Sequence, residues 1–202
     1  MDHDVNDLID IFAREFAASH RTRLVAGGDE PLYRPALTPD GWHEIVFRHD
    51  YFQSALHEIA HWCVAGPARR QQLDYGYWYD PDGRTRARQA EFERVEARPQ
   101  AVEWVLTVAC GRRFAVSLDN LDAPEPLDEG SLWRAVYREL QRCTGSEEHL
   151  PPRAAQLARA LARHFGRAWP LPVDYFVLPA GAIFGPPGLS GMTSCGGVNS
   201  TA

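Results

Sequence analysis

Residues 55–66 read ALHEIAHWCVAG: two histidines, His57 and His61, stand four residues apart with Glu58 directly after the first. On a helix, residues i and i+4 lie one above the other, so the two imidazoles can reach a single metal ion. The stretch predicts a helix from about Asp50 to Val64, with Asp50 as its cap and Gly66-Pro67 as its stop. At 100° per residue, Phe52, Ala55, Leu56, Ile59, Ala60, Cys63 and Val64 form one broad apolar face, with the histidines at its edge. They therefore border a core rather than open solvent.

Working outward, Val5, Leu8, Ile9, Phe12 and Phe16 recur at helical spacing, which predicts an amphipathic helix over Asp4–Ala18 that covers a sheet. A turn-rich stretch, GGDEPLYRPALTPDG (27–41), leads to the short apolar run Glu44–Phe47, read as a strand that enters the histidine helix. Downstream, LDYGYWYDPDGR (73–84) reads as an aromatic-rich strand or hairpin. QAEFERVEARPQAVEWVLTVACG (89–111) reads as a helix that Pro99 either kinks or restarts and Gly111 ends. RRFAVSL (112–118) is expected to form a last strand, and LWRAVYRELQRC (132–143) and PRAAQLARALARHFGRAW (152–169) two further amphipathic helices. The fold class expected is α+β, a single domain with a small mixed sheet covered by helices and a metal site between the histidine helix and the helix after it. That domain spans 1–170, and the Gly/Pro-rich segment 171–202 is expected to be a poorly ordered tail.

Composition narrows the functional classes. The 202 residues carry a formal net charge of −6, which disfavours a nucleic-acid or anionic-membrane surface and suits a cationic partner. No uninterrupted apolar run approaches the roughly 18 residues that span a bilayer, and the first residues are acidic where a secretory signal is basic, so a cytoplasmic protein is expected. The four cysteines are dispersed, without CxxC pairing, and read as reduced thiols.

An ion held by two histidines needs a third protein ligand. Glu91, Glu93, Glu96 and Glu103 crowd the helix after the motif, with Asp74 and Asp80 more remote. Glu96 is the preferred ligand because Glu96, Gln100 and Glu103 share one face of a helix whose opposite face, Val102, Trp104, Val105, Leu106 and Val108, is apolar. Glu93, one turn earlier, is second. With zinc, such a site would hold a water and use Glu58 as the general base of a hydrolase. With ferrous iron, the same three ligands leave positions for dioxygen chemistry. A structural metal beside an acidic docking face is a third reading. Spacing alone does not choose among them.

Longer stretches carry a resemblance. DEPLYRPA (29–36), HEIAHWCVAGPARR (57–70), DYGYWYDPDGR (74–84), FERVEARPQAVEW (92–104), FAVSLDNL (114–121) and RTRLVAGGDEP (21–31) together resemble the elongation factor P hydroxylase family. The resemblance implies hydroxylation of the modified lysine of elongation factor P, after a separate enzyme pair has made and attached a β-lysyl group. The oxygen goes to the factor's own lysine. It also implies an α+β fold similar to a bacterial endoribonuclease metalloprotein, His57 and His61 as metal ligands with Glu96 as the carboxylate, and Fe(2+) rather than Zn(2+). Insertion of one oxygen atom from dioxygen requires two further electrons, and no residue is assigned to a co-reductant. The β-lysylated substrate is long and cationic, so Glu58, Glu93 and Glu103 become candidates to meet it. Tyr75, Tyr77, Trp78 and Tyr79 are candidates to line its path. The protein is then expected to bind elongation factor P, with no direct nucleic-acid or membrane contact.

Overall fold

A computed structural model describes residues 3–75, 84–120, 128–145 and 149–178. Helix α1 (Val5–His20) starts at Asp4, whose side chain accepts the Asn6 amide, and buries Leu8, Ile11, Phe12 and Phe16. Three strands follow: β1 (Thr22–Gly28), β2 (Leu32–Arg34) and β3 (His43–Arg48). The sheet order is β1-β3-β2, with β1 parallel and β2 antiparallel to β3. The central strand buries Ile45, Val46 and Phe47, which is why its sequence is a continuous apolar run. The two edge strands fall in the segment expected to be turns and in the residues just before it. Their Gly-rich or very short sequences carry no alternation, and pairing with β3 makes them strands. Register is marked by Glu44, which lies opposite Arg23 on one side and Arg34 on the other and pairs with both at 2.6 Å.

Helix α2 (Phe52–Val64) carries the histidines, and α3 (Arg86–Ala109), α4 (Glu129–Gly145) and α5 (Pro152–His164) complete the helical layer. The cap expected at Asp50 is not formed: α2 starts after Tyr51, with no side-chain cap. Its other end is held by Arg153 of α5, which donates to the carbonyls of Trp62, Cys63 and Ala65 at 2.8–3.0 Å and lies over the Trp62 ring. Helix α3 runs unbroken through Pro99 and ends before Gly111, whose φ of 73° is cheapest for glycine.

The strand expected over 112–118 is a correction, since residues 112–120 form no ladder. Their polar backbone is satisfied by side chains instead. Gln100 exchanges two hydrogen bonds with the Ser117 backbone, at 2.8 and 3.0 Å, and Arg84 and Gln89 donate to the Leu118 carbonyl. The aromatic run 73–84 lies mostly outside the described residues, but its first part does pair: Asp74 bridges Tyr33 through both backbone groups. Of the segment expected to be a tail, residues 179–202 lie outside the described residues. Residues 171–178 lie along the core, and Phe176 meets Trp104 edge-on at 6.2 Å. Among the described residues no helix is long and apolar enough to cross a membrane.

One core joins the layers. Leu56, Ile59 and Ala60 of α2 meet Ala101, Val102, Val105 and Leu106 of α3, with Leu132 and Val136 of α4 and Leu157 and Leu161 of α5 closing it. Helix α3 is unusual within that core because it is buried on its polar side as well. Gln89, Glu93, Glu96, Gln100, Glu103 and Thr107, spaced alternately four and three residues apart on one face, are all nearly inaccessible. Buried polar groups are costly unless each finds a partner, so this stripe has to be matched across the interface. Glu96, Glu103 and Thr107 of the stripe face α2.

Candidate metal centre

The histidines come from α2 and the carboxylate from α3. One turn of α2 stacks His57 and His61, and their Nε2 atoms lie 3.0 Å apart. Glu96 Oε2 lies 3.4 Å from His61 Nε2 and 3.8 Å from His57 Nε2. Among the described residues, these three form the group of histidines, cysteines and acids whose donor atoms gather closely enough to share an ion. A triangle with those sides has a centre about 2.0 Å from every corner, which matches the roughly 2.0–2.2 Å bonds that metals make to imidazole nitrogen and carboxylate oxygen. Glu96 Oε2 is buried and makes no hydrogen bond of its own. An anionic oxygen left in that position fits a metal ligand better than a structural carboxylate. The residues thus fit a divalent ion with two neutral nitrogens and one carboxylate.

The electrostatics point the same way. Burial alone would raise the Glu96 carboxyl, but the imidazoles of His61 and then His57 hold it down to about 2. Burial alone would depress His57, yet Glu103, followed by Glu96 and Glu58, lifts it to about 10. The site is therefore a concentration of negative charge that calls for a cation at its centre. Glu58 lies beside both histidines, and burial raises its carboxyl above the ordinary range. It lines a crevice of about 20 Å³, room for about one water, together with Tyr33, His61, Trp62, Arg69 and Asp74.

The other acidic candidates lie elsewhere. Glu93, second choice as ligand and a candidate to meet the substrate, is turned toward α4, where its side chain hydrogen-bonds Ser131; burial raises its carboxyl. Glu91 is exposed. Asp74 forms a bidentate pair with Arg69, one contact at 2.8 Å. Asp80, Tyr77, Trp78 and Tyr79 lie outside the described residues, and Tyr75 is half exposed. Glu103 does not face an open path to solvent: it is 4% exposed, and its Oε2 lies 2.8 Å from His57 Nδ1. Gln53, which donates to Glu103 Oε1 and to Thr107 Oγ1, was not singled out from the sequence, and neither was Thr107. Both lie one helical turn from a named residue, Gln53 before His57 and Thr107 after Glu103, and that spacing was the available signal.

Comparison with known proteins places the chain in a family. The family described as elongation factor P hydroxylase matches residues 11–176. A protein of Haemophilus influenzae named elongation factor P lysine hydroxylase is 46% identical over 165 residues, covering 82% of this chain and 91% of that protein. The matched span takes in α2, α3 and the sheet between α1 and α2, and so includes His57, His61 and Glu96, the three residues that could hold an ion. The chain belongs to the elongation factor P hydroxylase family.

Proposed function

We propose that this protein hydroxylates the modified, β-lysylated lysine of elongation factor P at a mononuclear iron site held by His57, His61 and Glu96. The observation that carries the reading is the meeting of two Nε2 atoms and one buried, hydrogen-bond-free carboxylate oxygen around a common centre, in a chain of this family. Two histidines and one carboxylate leave open coordination positions, and a ferrous ion held there supplies dioxygen activation. The side chains supply the rest. His57 and His61 are neutral donors when the ion is bound, Glu96 neutralises half its charge, and Glu58 presents a carboxyl at the crevice beside His61. The net charge of −6 favours approach of a cationic lysyl-lysine arm. A translation factor as substrate puts the work in the cytoplasm, with no direct nucleic-acid contact required.

The zinc-hydrolase reading is not favoured. It rests on the His-Glu-x-x-His spacing alone, whereas the family match extends over residues 11–176. Two assays separate the readings. Anaerobically purified protein is loaded with ferrous ion and incubated in air with β-lysylated elongation factor P and a reductant. The expected result is a gain of one oxygen atom on the factor, lost in His57→Ala and Glu96→Ala. An unchanged intact mass with the wild-type enzyme, or hydrolysis of a peptide panel that Glu58→Gln abolishes, overturns the proposal.

A further inference from the structure

Resting on the metal reading above, we infer that Glu103 is a positioning residue of the centre. Its carboxylate holds the His57 ring by Nδ1, so that Nε2 is the atom offered to the ion, and Gln53, itself anchored on Thr107, holds that carboxylate in turn. The two nitrogens of an imidazole lie at different distances from Cβ, and a half-turn about χ2 puts a ring carbon where each nitrogen stood. Either nitrogen can ligate a metal, so something must select one. Here Nδ1 is 2.8 Å from Glu103 Oε2, while Nε2 faces His61 Nε2 at 3.0 Å and Glu96 Oε2 at 3.8 Å. Once Nε2 has given up its proton, the one held on Nδ1 by the carboxylate leaves the ring in the tautomer whose lone pair is on Nε2, pointing at the other two donors.

The support is itself fixed. Glu103 is nearly inaccessible, and its other oxygen accepts from Gln53 Nε2, which also reaches Thr107 Oγ1 at 3.3 Å. Gln53 is one turn before His57 on α2. Thr107 is one turn after Glu103 on α3, and Glu103 is two turns after the ligand Glu96. The contact between the two helices is thus a polar ladder in which each rung sets the next. Docking α2 on α3 therefore orients His57 before any ion arrives. A carboxylate on the far nitrogen also makes the near nitrogen a better donor, and loss of such a partner typically weakens metal affinity about 10- to 100-fold. Together Glu96 and Glu103 bring two negative charges to the surroundings of one divalent ion.

The test uses the full chain and Co(2+) as a spectroscopic probe of the site. Wild type, Glu103→Gln and Glu103→Ala are titrated at one pH, following visible absorption, with the metal-free unfolding midpoint measured for each. Gln can still accept the Nδ1 proton but brings no charge, so a graded loss is expected: about tenfold for Glu103→Gln and up to about 100-fold for Glu103→Ala. A changed cobalt spectrum should accompany it, and the loss should not follow the unfolding midpoint. Zn(2+)-loaded wild type supplies a measurement that needs no variant: long-range nitrogen–proton NMR should show His57 protonated on Nδ1 and metal-bound through Nε2. A His57 ligating through Nδ1 overturns the inference, as do variants that bind Co(2+) with wild-type affinity and spectrum. Wild type that takes up no Co(2+) overturns the metal reading together with it.

Discussion

Metal loading should become weaker as the pH falls, by about a factor of ten for each unit between pH 8.5 and 7. In the metal-free protein the carboxylates of Glu103, Glu96 and Glu58 outweigh burial and raise His57 to about 10, so its imidazole is protonated at neutral pH. Nε2 can bind an ion only after losing its proton. At pH 7 the proton is favoured by three units, a factor on the order of 10³ or about 4 kcal/mol of competition at one pK unit per 1.4 kcal/mol. Glu96, held at about 2, is already ionised and contributes no proton in this range. His57 should therefore release one proton for each ion bound. Calorimetric titration with Co(2+) at pH 7 and 8, in two buffers of different ionisation enthalpy, counts that proton directly. The sign for stability is opposite in the absence of metal. A histidine raised above its unfolded value stabilises fully below about 6.5 and loses that contribution as the pH climbs through about 10. Chelated protein should lose stability from pH 7 to 10, and loaded protein should lose less. An affinity that is flat over one pH unit, with no proton passed to the buffer, would refute the reasoning.

Three further outcomes follow from individual contacts. Glu96→Gln keeps the shape of the side chain but removes the charged ligand; ferrous uptake and oxygen addition should fall more than about 100-fold, beyond the range for loss of an outer partner, with circular dichroism unchanged. Gln100→Leu strips both hydrogen bonds from the Ser117 backbone, and at about 1 kcal/mol each it should cost about 2 kcal/mol in urea unfolding. A midpoint within experimental error of wild type would show that water replaces the clamp. Arg153→Ala removes the donor from three carbonyls at the end of α2 and a cation from the Trp62 face, and should cost about 2–3 kcal/mol by the same measurement.

Much of the helical layer is legible along the chain. The apolar faces of α1, α2, α4 and α5 recur at helical spacing because one side of each meets the core, and that pattern is local. The sheet was harder. Only β3 shows itself, because only the central strand is buried enough to be continuously apolar; β1 and β2 are strands through their hydrogen bonds to β3. The segment 112–120 failed in the opposite way. Its Phe114, Val116 and Leu118 alternate as a strand would, but the partners of its backbone are Gln100, Arg84 and Gln89, residues 17 to 34 positions away.

The centre divides along the same line. The pairing of His57 with His61 is legible along the chain, because the geometry that joins them is one turn of one helix. So is the place of Glu96 on a polar face of α3. Periodicity prefers Glu96 over Glu93, but what each of Glu93, Glu96 and Glu103 touches is decided by tertiary structure, since all lie within a spread of about 80° on the helix and only the docking of its neighbours distinguishes them. That packing turns Glu93 toward Ser131, Glu96 toward the two Nε2 atoms and Glu103 toward His57 Nδ1. Periodicity along a chain says which side of a helix is polar, and only the facing helix decides which carboxylate meets which atom.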